Sequence, residues 1–362
     1  MSKMNFLDDY DKELQKAGIY TGEARPPRYW FSTGNYALNR IISGSFYKGI
    51  PQGRVTGLMG PSGAGKSFLI ANIMRQAQQE GAFVLAIDTE HALDNDFVEA
   101  IGVDTSNDVY HYVEANTFAD LKKAVSSFIK AYKKQFGDGE DAMKLLIAID
   151  SLDMLITDSE EKHFLDGKVV GDQGQRTKQT KSILREFVQS IKHNNISIVA
   201  TGDVYKNQDP LNGEGTWIVT EGVRFSLSQI ILLTKLKLKS KDKTEIVGIN
   251  MRCDGFKTRF TKPFQRVEIE VPYDTGMNPY SGLLDAAKAL EVVNLSGAWY
   301  SIPDTNIKFY AKDIATHSEK VLELCEAKSK TFLNVEEGEE ENIDTSESVK
   351  KRRTKKYYES DK

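Results

Sequence analysis

Residues Gly60-Pro61-Ser62-Gly63-Ala64-Gly65-Lys66-Ser67 satisfy G-x-x-x-x-G-K-[ST], and they sit between an apolar run and an amphipathic stretch. No other feature constrains the fold as much, because the pattern demands a strand, a tight turn and a helix in succession. Its glycines let the backbone curl until consecutive N–H groups point inward at phosphate oxygens. The helix that follows adds the positive end of its dipole. In this geometry Lys66 reaches the β- and γ-phosphates, and the Ser67 hydroxyl ligates Mg²⁺. The sequence therefore predicts a bound nucleoside triphosphate.

Short apolar runs at Arg54–Met59, Phe83–Asp88, Lys144–Asp150, Ile196–Thr201 and Gln229–Thr234 read as buried strands. Amphipathic stretches at Phe68–Gln79, Phe118–Phe136 and Lys178–His193 alternate with them. Alternation of this kind predicts βαβ units, hence an α/β fold with a mainly parallel sheet flanked by helices. Glu245–Arg252 and Phe264–Val271 read as adjacent strands, a hairpin at one sheet edge.

The 362 residues then divide into a short N-terminal helical segment (1–30), a nucleotide-binding core (31–275), a small mixed segment (276–332) and a charged tail (333–362). Seven acidic residues lie between Glu336 and Glu347, ahead of the basic cluster Lys350–Lys356. Charge blocks with so few apolar residues are expected to be disordered.

No run approaches the roughly 18 apolar residues of a membrane span, and the polar, acidic start does not read as a signal peptide. The two cysteines, Cys253 and Cys325, lack metal-site spacing and fit a reducing, cytoplasmic compartment. A net charge of −4 does not decide for or against nucleic acid, since a local basic face can bind phosphates on an acidic protein.

Two carboxylates join the phosphate loop. Leu145–Asp150 is an apolar strand ending in Asp150, placed to hold Mg²⁺ directly or through water, although a strand-terminal Asp also serves as a turn or cap. Glu90 leaves strand Phe83–Asp88 on the same sheet edge as Lys66, where it can orient an attacking water. His91 reads instead as a structural hydrogen-bonder.

Taken in order, several segments resemble the RecA-type strand-exchange recombinases: Phe31–Gly34 through Gly49–Arg54, the phosphate loop, Ile87–Asp94 and Ile149–Ser151. The nearest likeness is to the UvsX-type recombinases of large bacteriophages. It shows in Lys168-Val169-Val170, Arg176–Ser182, Asn278–Asp285 and Gly297–Tyr300.

The resemblance implies roles by position. Glu90 matches the family's catalytic glutamate, and Asp94 with Phe97 matches the pair that hydrogen-bonds and stacks on adenine. Core packing is the alternative for Phe97. Lys257 and Arg259 match a pair of cations that reaches the neighbouring subunit's ATP. If Lys257-Thr258-Arg259 is extended, both point to one face and can meet the γ-phosphate together; otherwise they are solvated cations. Asp203 stands where the family places a Gln or His that senses the γ-phosphate. A carboxylate there is unfavourable unless Mg²⁺ or a cation intervenes.

Two loops face DNA in this family, matching about Thr157–Gln175 and Lys206–Gly222. After the first, Lys178, Lys181 and Arg185 fall on one helical face. The second carries Trp217 as its only large aromatic. Cations for phosphates plus an aromatic wedge suit sequence-neutral binding of single strands.

The function implied is an ATP- and Mg²⁺-dependent, DNA-stimulated ATPase that polymerises on single-stranded DNA and pairs it with a homologous duplex, aided by a single-strand-binding protein and a mediator. A hexameric RecA-like motor and a non-catalytic ATP-binding mediator are the rival readings.

Overall fold

The computed structural model describes residues 3–17, 19, 21, 26–137, 139, 141–168, 174–206, 217–240, 242 and 244–329. Helix α1 (Lys3–Lys16) precedes strand β1 (Trp30–Phe31), helix α2 (Tyr36–Ser43) and strand β2 (Ile50–Pro51), which pairs antiparallel with β1. The alternation then begins with β3 (Val55–Met59), α3 (Lys66–Gln79), β4 (Phe83–Asp88), α4 (Asn95–Ile101), β5 (Tyr110–Glu114), α5 (Phe118–Phe136) and β6 (Leu145–Asp150). Helices α6 (Asp158–Leu165) and α7 (Gln175–Ile191) lead to β7 (Ile196–Gly202). Short strands β8 (Tyr205–Lys206) and β9 (Trp217–Ile218) pair with each other, and α8 (Glu221–Ser226) follows. Long strands β10 (Gln229–Lys239) and β11 (Ile246–Lys257) and the shorter β12 (Arg266–Pro272) complete the main sheet. Helix α9 (Leu283–Ala289), strands β13 (Asn294–Ser296), β14 (Trp299–Ser301) and β15 (Lys308–Tyr310), and helix α10 (Ile314–Lys328) come last.

The main sheet has eight strands in the order β12-β11-β10-β3-β7-β6-β4-β5. From β10 to β5 every pairing is parallel, and β11 and β12 add an antiparallel edge. The expected mainly parallel α/β fold is therefore present, with the two predicted edge strands adjacent as read. Strands β4 and β6 bury almost every side chain because helices cover both faces. One core cluster joins α3 and α2 to one face, with Leu69, Ile73, Val84 and Leu146 among its members. The other joins α5 and α7 to the opposite face through Leu121, Val125, Leu184, Phe187 and Ile147. Each such Leu or Ile contributes about 1.5–3 kcal/mol by leaving water.

The starts of α2, α4, α5 and α6 are set by side chains. Thr117 and Thr157 each accept from the third residue of the helix they open, while Asp120 and Glu160 bond back, two reciprocal caps for α5 and α6. Asn35 caps α2 through Leu38 N–H, and its amide donates to the carbonyls of Asn278, Pro279 and Ser281 at 3.1–3.2 Å. One asparagine thus ties the Phe31–Gly34 region to the Asn278–Asp285 turn. Beyond that turn a third core cluster forms around Leu283, Val293, Phe309 and Val321, and Phe46 from the turn after α2 is buried in it.

Residues 333–362, where the charged tail was expected, lie outside the described residues. So do 169–173, with Val169 and Val170, and 207–216, most of the second expected DNA loop. Among the described residues no helix is long and apolar enough to cross a membrane.

Candidate functional site at the carboxyl edge of the sheet

Strand β3 ends at Met59, and the loop that follows is shaped around glycines. A Cβ on Gly60 would lie 2.4 Å from the Leu233 carbonyl oxygen of β10. Gly63 and Gly65 have φ of +69° and +93°, in the region that favours glycine. Helix α3 begins at Lys66, so its first N–H groups have no intrahelical partners and face the loop's concavity.

Lys66 is buried, and its Nζ donates to the Gly60 carbonyl at 2.7 Å and to Asp203 Oδ1 at 2.6 Å. The cation needed beside Asp203 is therefore Lys66 itself. The backbone N–H of Asp203 donates to Asp153 Oδ2 at 2.6 Å. Burial pushes the Asp153 carboxyl above the usual carboxylate range, with the Asp203 charge adding to the rise.

Asp150 ends β6 fully buried, and Thr201 from β7 donates to its Oδ1. Burial raises its carboxyl above the ordinary range, while the Ser67 hydroxyl nearby favours the ionised form. Its Oδ2 is buried without a hydrogen bond of ordinary geometry. A buried oxygen left over beside a serine hydroxyl on a phosphate loop is a donor set suited to a hard divalent cation, so the residues fit Mg²⁺.

Glu90 is exposed on a turn that Asp88 builds. Asp88 accepts from the N–H groups of Glu90, Ala92 and Leu93 at 2.9–3.2 Å. Thr89 exchanges hydrogen bonds with Ser151, joining the ends of β4 and β6. The Ser151 hydroxyl then donates to Glu90 Oε1 at 2.5 Å. The structure thus brings Lys66, Ser67, Glu90, Asp150 and Asp203 to one edge of the sheet.

The remaining expected site residues are placed differently. Asp94 accepts from Phe97 N–H at 2.9 Å and caps α4. Phe97 is half-buried against the first core cluster, with part of its ring left accessible. Lys178, Lys181 and Arg185 are all exposed on α7, opposite Ile183, Leu184, Phe187 and Ile191. The side chain of Trp217 lies outside the described residues.

One geometric expectation is corrected. Strand β11 stops at Lys257, and Arg259 lies on a bend, so the two do not share the face of one extended strand. Lys257 turns its ammonium to the carbonyls of Arg224 and Leu227, both at 2.7 Å. Arg259 stays close enough to lower the lysine's proton affinity, behind the larger effect of burial. It acts on Arg54 in the same way, so the three form a basic group.

Sequence reasoning missed Asp88, Ser151, Asp153 and Lys235. Asp153 carried a usable sign, a second carboxylate three positions after the strand-ending Asp150. Lys235 gave none: it lies on β10, yet a Cβ on Gly63 would be 2.5 Å from its Nζ.

A parallel sheet with a glycine-rich loop ahead of its first crossover helix defines the class of P-loop α/β proteins. Within that class, a family model described as the RecA N-terminal domain matches residues 7–278, and the chain belongs to the RecA family. The RecA protein of Clostridioides difficile (strain 630) is 26% identical over 329 residues, covering 86% of this chain and 85% of that protein. The RecA protein of Acholeplasma laidlawii (strain PG-8A) is 26% identical over 321 residues, covering 83% and 89%. That of Rickettsia canadensis (strain McKiel) is 25% identical over 336 residues, covering 86% and 88%.

Proposed function

We propose that this chain is an ATP-dependent recombinase that assembles as a helical filament on single-stranded DNA and promotes pairing and exchange with a homologous duplex. The single observation carrying the reading is the convergence of Lys66, Ser67, Asp150 and Glu90 on one sheet edge, in a chain of the RecA family. Recombinases of that family are DNA-dependent ATPases that use ATP with Mg²⁺.

In this reading the loop 60–67 cradles the phosphates, and Lys66 holds the terminal one. Ser67 and Asp150 hold Mg²⁺, which when bound offsets phosphate charge. Glu90, steadied by Ser151, orients the water that attacks the γ-phosphate. Asp94 and Phe97 take the adenine. Lys257 and Arg259 of one copy serve the nucleotide of the next, and α7 offers Lys178, Lys181 and Arg185 to DNA phosphates, with Trp217 in the second loop. The N-terminal segment docks on the neighbour, and a single-strand-binding protein and a mediator assist loading. The Asn278–Asp285 and Gly297–Tyr300 segments support a place beside the UvsX-type recombinases of bacteriophages, acting in the cytoplasm of a host cell.

The test is ATP turnover with and without single-stranded DNA, together with strand exchange between a circular single strand and a linear duplex. Wild type hydrolyses ATP faster with DNA and exchanges strands. Glu90→Gln still assembles with ATP but loses roughly a hundredfold or more in turnover. Wild-type binding of ATP without DNA-stimulated turnover would favour the mediator reading, and unwinding of a duplex with translocation would favour the motor.

A further inference from the structure

The positive charge at the base of the phosphate loop is already matched within the chain. Lys66 is buried and gives one hydrogen of its ammonium to Asp203 at 2.6 Å. Asp203 is not a chance visitor there. Its backbone N–H is held by Asp153 Oδ2, and Gly202 before it leaves no room for a side chain, since a Cβ would stand 2.8 Å from that same carboxylate. Asp153 in turn feels the charges of Asp203, Lys66 and Glu90, and Asp150 feels Glu90 and Asp88. One buried ammonium thus faces a crowd of carboxylates.

A triphosphate brings several more negative charges to this place. A phosphate that draws on Lys66 competes with Asp203 for the ammonium, and the carboxylate stays close by because Asp153 holds the Asp203 backbone N–H. Like charges a few ångströms apart in a partly buried site repel strongly enough to change affinity by an order of magnitude or more. Mg²⁺ and the Lys235 ammonium beside Gly63 offset only part of that charge. Lys257 and Arg259 cannot supply the rest within one copy, because β11 delivers them to the opposite edge of the sheet, level with the start of β10.

We infer that Asp203, anchored by Asp153, is a built-in anion that occupies Lys66 and makes triphosphate binding conditional on positive charge from a second copy of the chain. The inference rests on the reading of the P-loop as an ATP site and adds its regulation. An isolated copy is thereby kept with a weakly held nucleotide, and assembly on DNA tightens the site by bringing the neighbour's cations against it.

The experiment measures binding of a fluorescent non-hydrolysable ATP analogue with Mg²⁺ to wild type, Asp203→Asn and Asp203→Glu, each with and without single-stranded DNA. Without DNA, Asp203→Asn binds about tenfold or more tightly than wild type, and Asp203→Glu behaves as wild type. With DNA the gap between wild type and Asp203→Asn narrows to about threefold or less. Misfolding cannot produce a gain in affinity. Equal or weaker binding by Asp203→Asn without DNA overturns the inference, as does a gap that DNA leaves unchanged. If no variant binds the analogue under either condition, the ATP-site reading itself falls.

Discussion

Lys257 ends β11 opposite Ile230, at the edge of the sheet where the parallel strands set out, whereas Lys66 opens the helix at the edge where they finish. The two cations cannot serve one nucleotide within a single copy. A head-to-tail contact that sets the starting edge of one sheet against the finishing edge of the next would bring them together, and repetition of that contact builds an open helix where its rotation does not close into a ring. This arrangement predicts complementation. Lys66→Ala and Lys257→Ala are each expected to lack DNA-stimulated turnover. An equal mixture recovers up to roughly a quarter of wild-type activity, the share of interfaces that pair an intact loop with an intact Lys257 in a random head-to-tail array. ATP hydrolysis assays on the mixture check this, and no recovery would place both lysines in the same copy's chemistry or none.

Asp94 has a structural duty as the cap of α4, and the proposed adenine contact is a second one. The duties separate by substitution. Asp94→Ser keeps a capping oxygen and is expected to unfold within a few tenths of a kcal/mol of wild type, while Asp94→Ala loses about 1 kcal/mol. Both are expected to bind ATP more weakly and to discriminate less against other nucleoside triphosphates. Denaturant melts and competition binding provide the two readouts.

The buried carboxyl of Asp153 gives a pH prediction with a definite sign. Its affinity for a proton is higher in the folded chain than in the unfolded one, first because of burial and then because of Asp203. The folded state therefore holds this proton to higher pH, and ionising the group at neutral pH costs stability. That cost fades as pH falls through the raised value. Asp153→Asn keeps an oxygen for the Asp203 N–H, so it is expected to be more stable than wild type near pH 7, with the difference shrinking toward about pH 4. Chemical denaturation of both proteins across that range measures it.

The exposed cations of α7 predict a salt effect. Removing Lys178, Lys181 and Arg185 together by alanine leaves the buried face of the helix intact. The slope of log affinity for single-stranded DNA against log salt is expected to fall by about 2, at roughly 0.7 per lost phosphate contact. Binding titrations at several salt concentrations report this, and an unchanged slope would move the DNA surface away from α7.

The parts of the fold legible in the sequence were those where burial is complete. Phe83–Asp88 is apolar until its last residue because helices cover both faces of β4, and the prediction matched its bounds. Strand β5, Tyr-His-Tyr-Val-Glu, escaped notice because it lies at the edge of the sheet and buries only Tyr110 fully. Strand β10 runs past Thr234 to Lys239 because it continues as a ribbon with β11, where alternating Leu and Lys suffices. At the proposed site, the sheet-edge positions of residues in local motifs were readable: the loop 60–67, Asp150 at its strand end and Glu90 after β4. The pairing of Lys66 with Asp203 joins residues 137 positions apart, and only the order of β3 and β7 in the sheet makes them neighbours. The bend that separates Arg259 from Lys257 was equally hidden, since nothing in Lys257-Thr258-Arg259 marks the end of a strand.

In the proposed function a triphosphate over Lys66 joins neighbouring copies along DNA. Electron microscopy of the full chain on single-stranded DNA with Mg²⁺, comparing a non-hydrolysable ATP analogue with no nucleotide, tests it most directly. Regular helical filaments along the DNA are expected with the analogue, and scattered or absent protein without it. Dispersed copies or bare DNA under both conditions would contradict it.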